Sequence, residues 1–283
     1  MAVDALREVF PLQDLLAAAA LPRSSYYYTR KAMGRDKYAA QRERIREIFT
    51  SNGSCYGSER VHLALKAEGT RLSEKVVRRL MKEERLRPYV PKKARRYNSY
   101  KGEISPEVPN VLERDFHAPS PNEKWLTDIT EFSLQDGKVY LSPMIDCFDG
   151  MVVSWTIGTS PPPELVNTML EKAIGTLSEG ERPVIHSDRG CHYRWPGWIE
   201  KMESRGLTRS MSKKGCSPDN SACEGFFGRL KNEMYYGRDW KGVGTEEFCG
   251  RLDDYISWYN AERIKVSLGG MSPVQYRMSL GLL

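Results

Sequence analysis

Nothing in this chain is apolar for long enough to cross a membrane. The best run covers residues 15–21 and is mostly alanine, far short of the roughly 20 residues a spanning helix needs. The start of the chain lacks a charged-then-apolar signal pattern, so a cytoplasmic protein is expected. The six cysteines, at positions 55, 147, 191, 216, 223 and 249, include no C-x-x-C pair, which argues against a disulfide framework. Histidine is scarce: His62, His117, His186 and His192 are the only four. None joins cysteine at zinc-finger spacing, which argues against a structural zinc site. No internal repeat is evident, and no sustained heptad pattern indicates self-assembly through a zipper.

What is present is a chain of 283 residues, 40% hydrophobic, with an uneven distribution of charge. The length exceeds the usual single domain, so two or more are expected. Residues 1–124 carry 25 Lys and Arg against 16 Asp and Glu, whereas residues 125–283 carry 18 against 21. A front half biased by nine positive charges suits a polyanion, although any one basic run also reads as a solvated helix face. The mildly acidic back half suits a protein that gathers carboxylates for cations.

Four regions are expected. Residues 1–35 hold a short helix near 12–20, broken by Pro22, readable as a remnant helix-turn-helix or as a packing hairpin. Residues 36–87 read as three helices, near 37–49, 58–68 and 73–85, with Gly69 closing the second and Ser73 capping the third. In the last, Val76, Val77, Leu80 and Met81 form the buried stripe and leave Lys75, Arg78, Arg79 and Lys82 outward. That basic face suits a helix-turn-helix-like domain docking on DNA, or else a solvated bundle face. Residues 88–121 form a linker with six prolines and a basic cluster at 92–96, which adds salt-sensitive attraction to nucleic acid. Residues 122–283 read as strands near 125–134, 138–147, 152–157 and 184–187, then strands alternating with helices. Asp136-Gly137 marks a hairpin between the first two. The expected class is a mixed α/β sheet flanked by helices.

Three acids carry the candidate chemistry. Asp128 lies in Trp125-Leu126-Thr127-Asp128-Ile129-Thr130, an otherwise apolar and threonine-rich strand. A charge buried mid-strand is costly unless it is paired or metal-bound. Asp188 ends the strand before Arg189-Gly190, where open α/β sheets place their sites. Glu224 opens a helix that packs Phe226, Phe227 and Leu230 inward. Alone, each acid reads as a cap, a turn or a surface charge. Together, carboxylates on separate elements can hold hard cations, and paired cations drive phosphodiester chemistry.

The motifs Trp-x-x-Asp-Ile-Thr, His-Ser-Asp-Arg-Gly and Asp-Asn-x-x-x-Glu-x-Phe-Phe-x-x-Leu-Lys resemble the catalytic signature of bacterial insertion-sequence transposases of the OrfB type. These are relatives of retroviral integrases with an integrase catalytic core. Thirty-five residues separate Asp188 from Glu224, the distance that family shows. Trp258-Tyr259-Asn260-x-x-Arg263 and Ser272-Pro273-x-x-Tyr276 resemble its C-terminal segment. The resemblance implies an RNase H-like fold at 122–283 with a C-terminal helical extension. It also implies two Mg²⁺ ions, replaceable by Mn²⁺, held by Asp128, Asp188 and Glu224. Asp128 would bridge both ions. The implied partners are DNA, as terminal inverted repeats and target, a second copy of the chain on that DNA, and the product of an upstream frame or a fusion with it. No membrane is implied. The chain departs from the pattern at Lys265, where many relatives carry histidine, at Cys191-His192, and at Gly150-Met151.

Secondary contributors follow by position. Lys231, seven residues after Glu224, shares its helix face and would touch a phosphate or solvent. Asn220 reads first as a cap. Lys213 and Lys214 lie in a basic loop that would close on DNA or serve as an ordinary connection. His186 would point to the opposite strand face and pack. A DNA-binding regulator of transposition without strand transfer is the alternative function, and an RNA nuclease of the RNase H type a third.

Overall fold

The computed structural model describes residues 2–32, 36–89, 108–213 and 217–283. Two compact units result, Met1–Glu47 and Ile48–Leu283. The first holds helices α1 (Ala2–Leu6), α2 (Leu12–Ala18) and α3 (Arg23–Ala32). Helix α1 has no strong apolar period and was not expected. Its place is fixed by Tyr26, fully buried, whose hydroxyl donates to Asp4 Oδ1 at 2.7 Å. Of the tyrosine run only Tyr26 packs; Tyr27 and Tyr28 are exposed. Met33 lies outside the described residues.

Helices α4 (Ala39–Ser51), α5 (Ser58–Ala67) and α6 (Glu74–Glu83) follow in the chain. Val61 and Leu65 of α5 and Val77, Leu80 and Met81 of α6 are buried, as the 3.6-residue period requires. Gly69 takes a left-handed φ of 82° and closes α5 with two backbone bonds. Ser73 occupies the N-cap position of α6, but its side chain makes no cap bond.

The sheet has six strands: β1 (Lys124–Thr127), β2 (Thr130–Leu134), β3 (Gly137–Asp146), β4 (Val152–Gly158), β5 (Val184–Ser187) and β6 (Thr208–Met211). β1 and β2 both pair antiparallel with β3, and β4 takes its other edge. β1 then pairs parallel with β5, and β5 with β6. The single strand expected over 125–134 is therefore two, because Asp128 and Ile129 leave the ladder. The hairpin at Asp136-Gly137 is present, with Leu134 opposite Gly137.

Helices α7 (Pro163–Ile174) and α8 (Pro196–Ser204) follow β4 and β5. Helices α9 (Ser221–Leu230), α10 (Thr245–Ala261) and α11 (Pro273–Ser279) end the chain. Side chains alternate across strands, so Leu126, Phe132, Val139 and Leu141 pack with Phe226, Leu230, Phe248 and Leu252 of α9 and α10. On the other face Trp125, Met144 and Ile185 pack with Val166, Met169, Trp198 and Met202 of α7 and α8. This three-layer arrangement, with antiparallel β2, β3 and β4 joined through β1 to parallel β1, β5 and β6, is RNase H-like.

Beyond α9 the chain widens into a π-type turn, Lys231–Tyr235, which brings Glu233 inward. Glu233 accepts from Arg263 Nη2 at 2.6 Å and Nε at 2.7 Å, from Arg60 of α5 at 3.1 Å and from the Tyr255 hydroxyl at 2.9 Å. Arg277 of α11 likewise spans Asp146 and Asp149, both fully enclosed. Asn260 clamps both backbone groups of Val152 at 2.9 Å and holds α10 against the start of β4.

Burial alone would raise the Glu233 carboxyl, but the Arg263 hydrogen bonds and the Arg263 and Arg60 charges outweigh it and hold it low. The stabilisation is therefore present above the unfolded carboxyl value and is lost as pH falls through the depressed folded value. Arg263→Leu leaves Glu233 enclosed without its main partner. It is expected to destabilise the protein by about 3–5 kcal/mol and to flatten the acid limb of urea denaturation measured against pH. A loss under about 1 kcal/mol would place the anchor of this region elsewhere.

Candidate active site

The register of the parallel pair places the first two acids. Lys124 faces Val184, Trp125 faces Ile185 and Leu126 faces His186. Carried two residues further, the same interval sets Asp128 beside Asp188 on strands about 4.8 Å apart. Both side chains emerge where parallel strands end, the usual place for a site in an open α/β sheet. They line one cleft of about 260 Å³ together with Glu131, Tyr140, Gly190, His192 and Tyr193. Asp128 Oδ1 accepts from Ile129 N at 2.7 Å and Asp188 Oδ1 from Gly190 N at 2.8 Å. A Cβ on Gly190 would stand 2.9 Å from Asp188 Oδ1, so glycine lets the backbone come this close.

The electrostatics follow from that closeness. Burial and then the charge of Asp188 push the Asp128 carboxyl up to about 8; Glu224 adds to this, while the Ile129 N–H and the Asn220 amide oppose it. Asp188 is also raised, by burial, against the pull of the Gly190 N–H and the charges of His192 and Arg194. Neither carboxylate has an ion-pair partner among the described residues. Glu224 stands exposed in the first turn of α9. Its field still reaches the same point: burial raises the enclosed Cys223 thiol, and Asp128, Asp188 and Glu224 all raise it further. The structure thus brings Asp128 and Asp188 together and leaves Glu224 at their margin. Among the described residues no group of three or more His, Cys, Asp or Glu is arranged to hold a metal ion.

Asn220 corrects the sequence reading. It stands at the N-cap of α9 but makes no side-chain cap bond; instead its Nδ2 donates to Asp128 Oδ2 at 2.9 Å. Its Oδ1 is buried without a hydrogen-bond partner, a defect of about 1–3 kcal/mol. Two half-buried carboxyl groups and an orphan acceptor suit a hydrated divalent cation. The carboxylates offer hard oxygen ligands, and a bound water can donate to the amide oxygen.

The remaining candidates are dispersed. Lys75, Arg78, Arg79 and Lys82 are exposed on α6; Arg78 pairs with Glu74 at 2.5 Å and Arg79 with Glu83 at 3.6 Å. Lys213 is exposed, and its backbone N–H donates to Asp219 Oδ2. Lys214 lies outside the described residues. Lys231 is half-buried with Nζ 5.3 Å from the Phe132 ring centre; burial lowers its amine and Glu131 pulls it back up. Asp146 is taken up by Arg277. His186 is buried between the Ser210 and Ser212 hydroxyls, at 2.8 and 3.1 Å, which agrees with its expected packing role. His192 was read only as a departure from a pattern, yet it lines the cleft with its Nδ1 buried and unpartnered.

Comparison with known proteins gives the family. Residues 118–217 and 224–280 each match an integrase core domain family, and residues 37–94 match an HTH-like domain family. The class is thus an integrase core preceded by a helix-turn-helix-like domain. The chain is 59% identical over 99% of its length to a Shigella flexneri protein named as the probable transposase for insertion sequence element IS1353, and it spans 55% of that protein's length. It is 42% identical to an Escherichia coli K12 protein named as the transposase InsK for insertion sequence element IS150, over 97% of this chain and 96% of that one. Transposase InsF for insertion sequence IS3A, from the same organism, is 31% identical over 81% of this chain and 78% of its own. Among solved structures, the HTLV-2 integrase catalytic core domain in complex with magnesium aligns at a TM-score of 0.42 and 19% identity, over 55% of this chain and 96% of that one. The chain belongs to the insertion-sequence transposases of the OrfB type.

Burial and the neighbouring Asp188 disfavour a charged Asp128. Asp128→Asn removes the ionisable group and keeps the shape. Above the raised Asp128 value it is expected to increase stability by roughly 0.5–2 kcal/mol, read as a higher thermal midpoint in chelator at about pH 9 than for the unaltered chain. An unchanged or lower midpoint would mean that the two carboxylates do not repel each other appreciably.

Proposed function

We propose that this chain is a metal-dependent DNA transposase that cuts insertion-sequence ends and joins them to target DNA. The observation that carries the reading is the delivery of Asp128 and Asp188, by adjacent parallel strands, to one cleft within the field of Glu224. Asp128, Asp188 and Glu224 would hold the cations. Bound Mg²⁺ or Mn²⁺ would supply Lewis-acid activation of the attacking oxygen and stabilisation of the leaving one.

The chain's own residues do the rest. The Ile129 and Gly190 N–H groups and the Asn220 amide hold the two aspartates in fixed orientations. Lys231, half-buried over the Phe132 ring and within reach of the Glu131 charge, would meet a phosphate. By their place in the sequence, Lys213 and Lys214 would add basic charge for DNA. The exposed Lys75, Arg78, Arg79 and Lys82 give the HTH-like segment a face for DNA phosphates. A second copy of the chain on the same DNA completes the reading, since two ends must be joined.

The experiment incubates the full chain with duplex DNA bearing the terminal repeats of its own element and Mg²⁺ or Mn²⁺. Nicking and joining are expected, and Asp128→Ala, Asp188→Ala and Glu224→Ala should each reduce the rate by at least about a hundredfold with DNA affinity unchanged. A gel shift without nicking or joining, indifferent to metal and to Asp188→Ala, would overturn the enzyme reading and leave a DNA-binding regulator.

A further inference from the structure

A second set of contacts converges on Asn220 from behind the cleft. Its neighbour Asp219 is 2% exposed. Asp219 Oδ2 accepts from Asn110 Nδ2 at 3.0 Å and from the Lys213 backbone N–H at 2.9 Å, and its Oδ1 accepts from Arg114 Nε at 2.7 Å. One carboxylate therefore joins the segment entering the core, the strand end after β6 and the turn that opens α9. The entering segment is itself held to β6: Val111 N donates to Ser210 Oγ at 2.9 Å, Met211 N donates to Pro109 O, and Leu112 is buried. Within it Glu113 and Arg114 both take left-handed backbone, with φ of 48° and 69°. Residues other than glycine hold that conformation only where surrounding contacts over-determine it. Surface connection alone explains neither the enclosure of Asp219 nor this paired distortion.

We propose that Asp219 is a positioning residue for Asp128, acting through Asn220, and that Asn110 and Arg114 set the geometry of the active site by holding Asp219. The inference rests on the transposase reading of that site. The final torsion of an aspartate side chain is broad and nearly two-fold. The Asn220 amide selects one orientation of the Asp128 carboxylate by donating to Oδ2. Asn220 can do so only while its backbone is fixed, and Asp219 fixes it through three partners from two other segments. The segment leading from the HTH-like domain thereby becomes a structural part of the catalytic cleft.

The test is a double-mutant cycle on the full chain with Asn220→Ala, Asp219→Asn and the double variant. Three readouts are taken: single-turnover joining rate, DNA affinity, and calorimetric titration with Mn²⁺ in the absence of DNA. Each single variant is expected to slow joining by about tenfold to a hundredfold, the scale of a misplacement near 1 Å, with DNA affinity unchanged and Mn²⁺ half-saturation raised in parallel. The double variant should be no slower than Asn220→Ala, because Asp219 acts only through it. Arg114→Ala should reproduce part of both effects and Arg114→Lys should restore them, so Arg114, half-exposed, tests the idea even if Asp219→Asn does not fold.

Multiplicative losses in the cycle, or wild-type Mn²⁺ binding and joining in Asp219→Asn or Arg114→Ala, would overturn the proposal. If the wild-type chain neither nicks nor joins DNA, the transposase reading fails, and the Mn²⁺ titration still decides whether Asp219 and Asn220 organise the carboxylates.

Discussion

The parallel pairing of β1 with β5 forces two carboxylates into one cleft. With Lys124 opposite Val184 and Leu126 opposite His186, Asp128 and Asp188 follow at adjacent strand ends. The apolar faces of both strands fix that register, because a one-residue slip would turn Trp125 and Ile185 out of one core and Leu126 out of the other. The hydrophobic layers thus keep two carboxyl groups in one cleft, where burial and the Asp188 charge disfavour ionisation of Asp128.

The surrounding architecture keeps the repulsion from escaping. Breaking the long first strand at Asp128 and Ile129 removes two residues from the ladder and turns their backbone toward the carboxylate. The Ile129 N–H then donates to Asp128 instead of to β3. On the far side, charge is neutralised with care. Asp146 and Asp149 share Arg277, and Glu233 collects Arg263 and Arg60. The contrast is informative. Three acids near the sheet receive guanidinium partners from the C-terminal extension or from α5, while among the described residues the two in the cleft form no ion pair and accept from N–H donors. The sequence motifs around them do not by themselves make that distinction.

The legible parts of the chain were those written in local chemistry. The period-2 apolar runs gave most of the strands, Asp136-Gly137 gave the hairpin, and the apolar stripe of α6 gave its buried face. Asp128 and Asp188 stood out together, one inside an apolar strand and one at a strand end; the structure puts both on one cleft. The missed features share one property, dependence on a partner remote in sequence. The role of Asn220 turns on Asp128, ninety-two positions away, so the nearest available reading, a helix cap, was chosen. The strand break at Asp128 was hidden because flanking Thr127 and Thr130 favour strand equally on either side. Helix α1 depends on the buried Tyr26 hydroxyl, and no periodicity announces such a contact.

Glu224 shows why the third acid differs from the other two. Asp128 and Asp188 follow directly on strands whose register is set by their parallel pairing and by two cores. Glu224 is carried by a helix whose inner face, Cys223, Phe226, Phe227 and Leu230, is locked into the core, while its outer face is free to hold charge beside water. The first turn of a helix favours a carboxylate because the unpaired N–H groups there carry partial positive charge. Glu224 is therefore exposed at the start of a helix, while burial weighs on Asp128 and Asp188 at the strand ends.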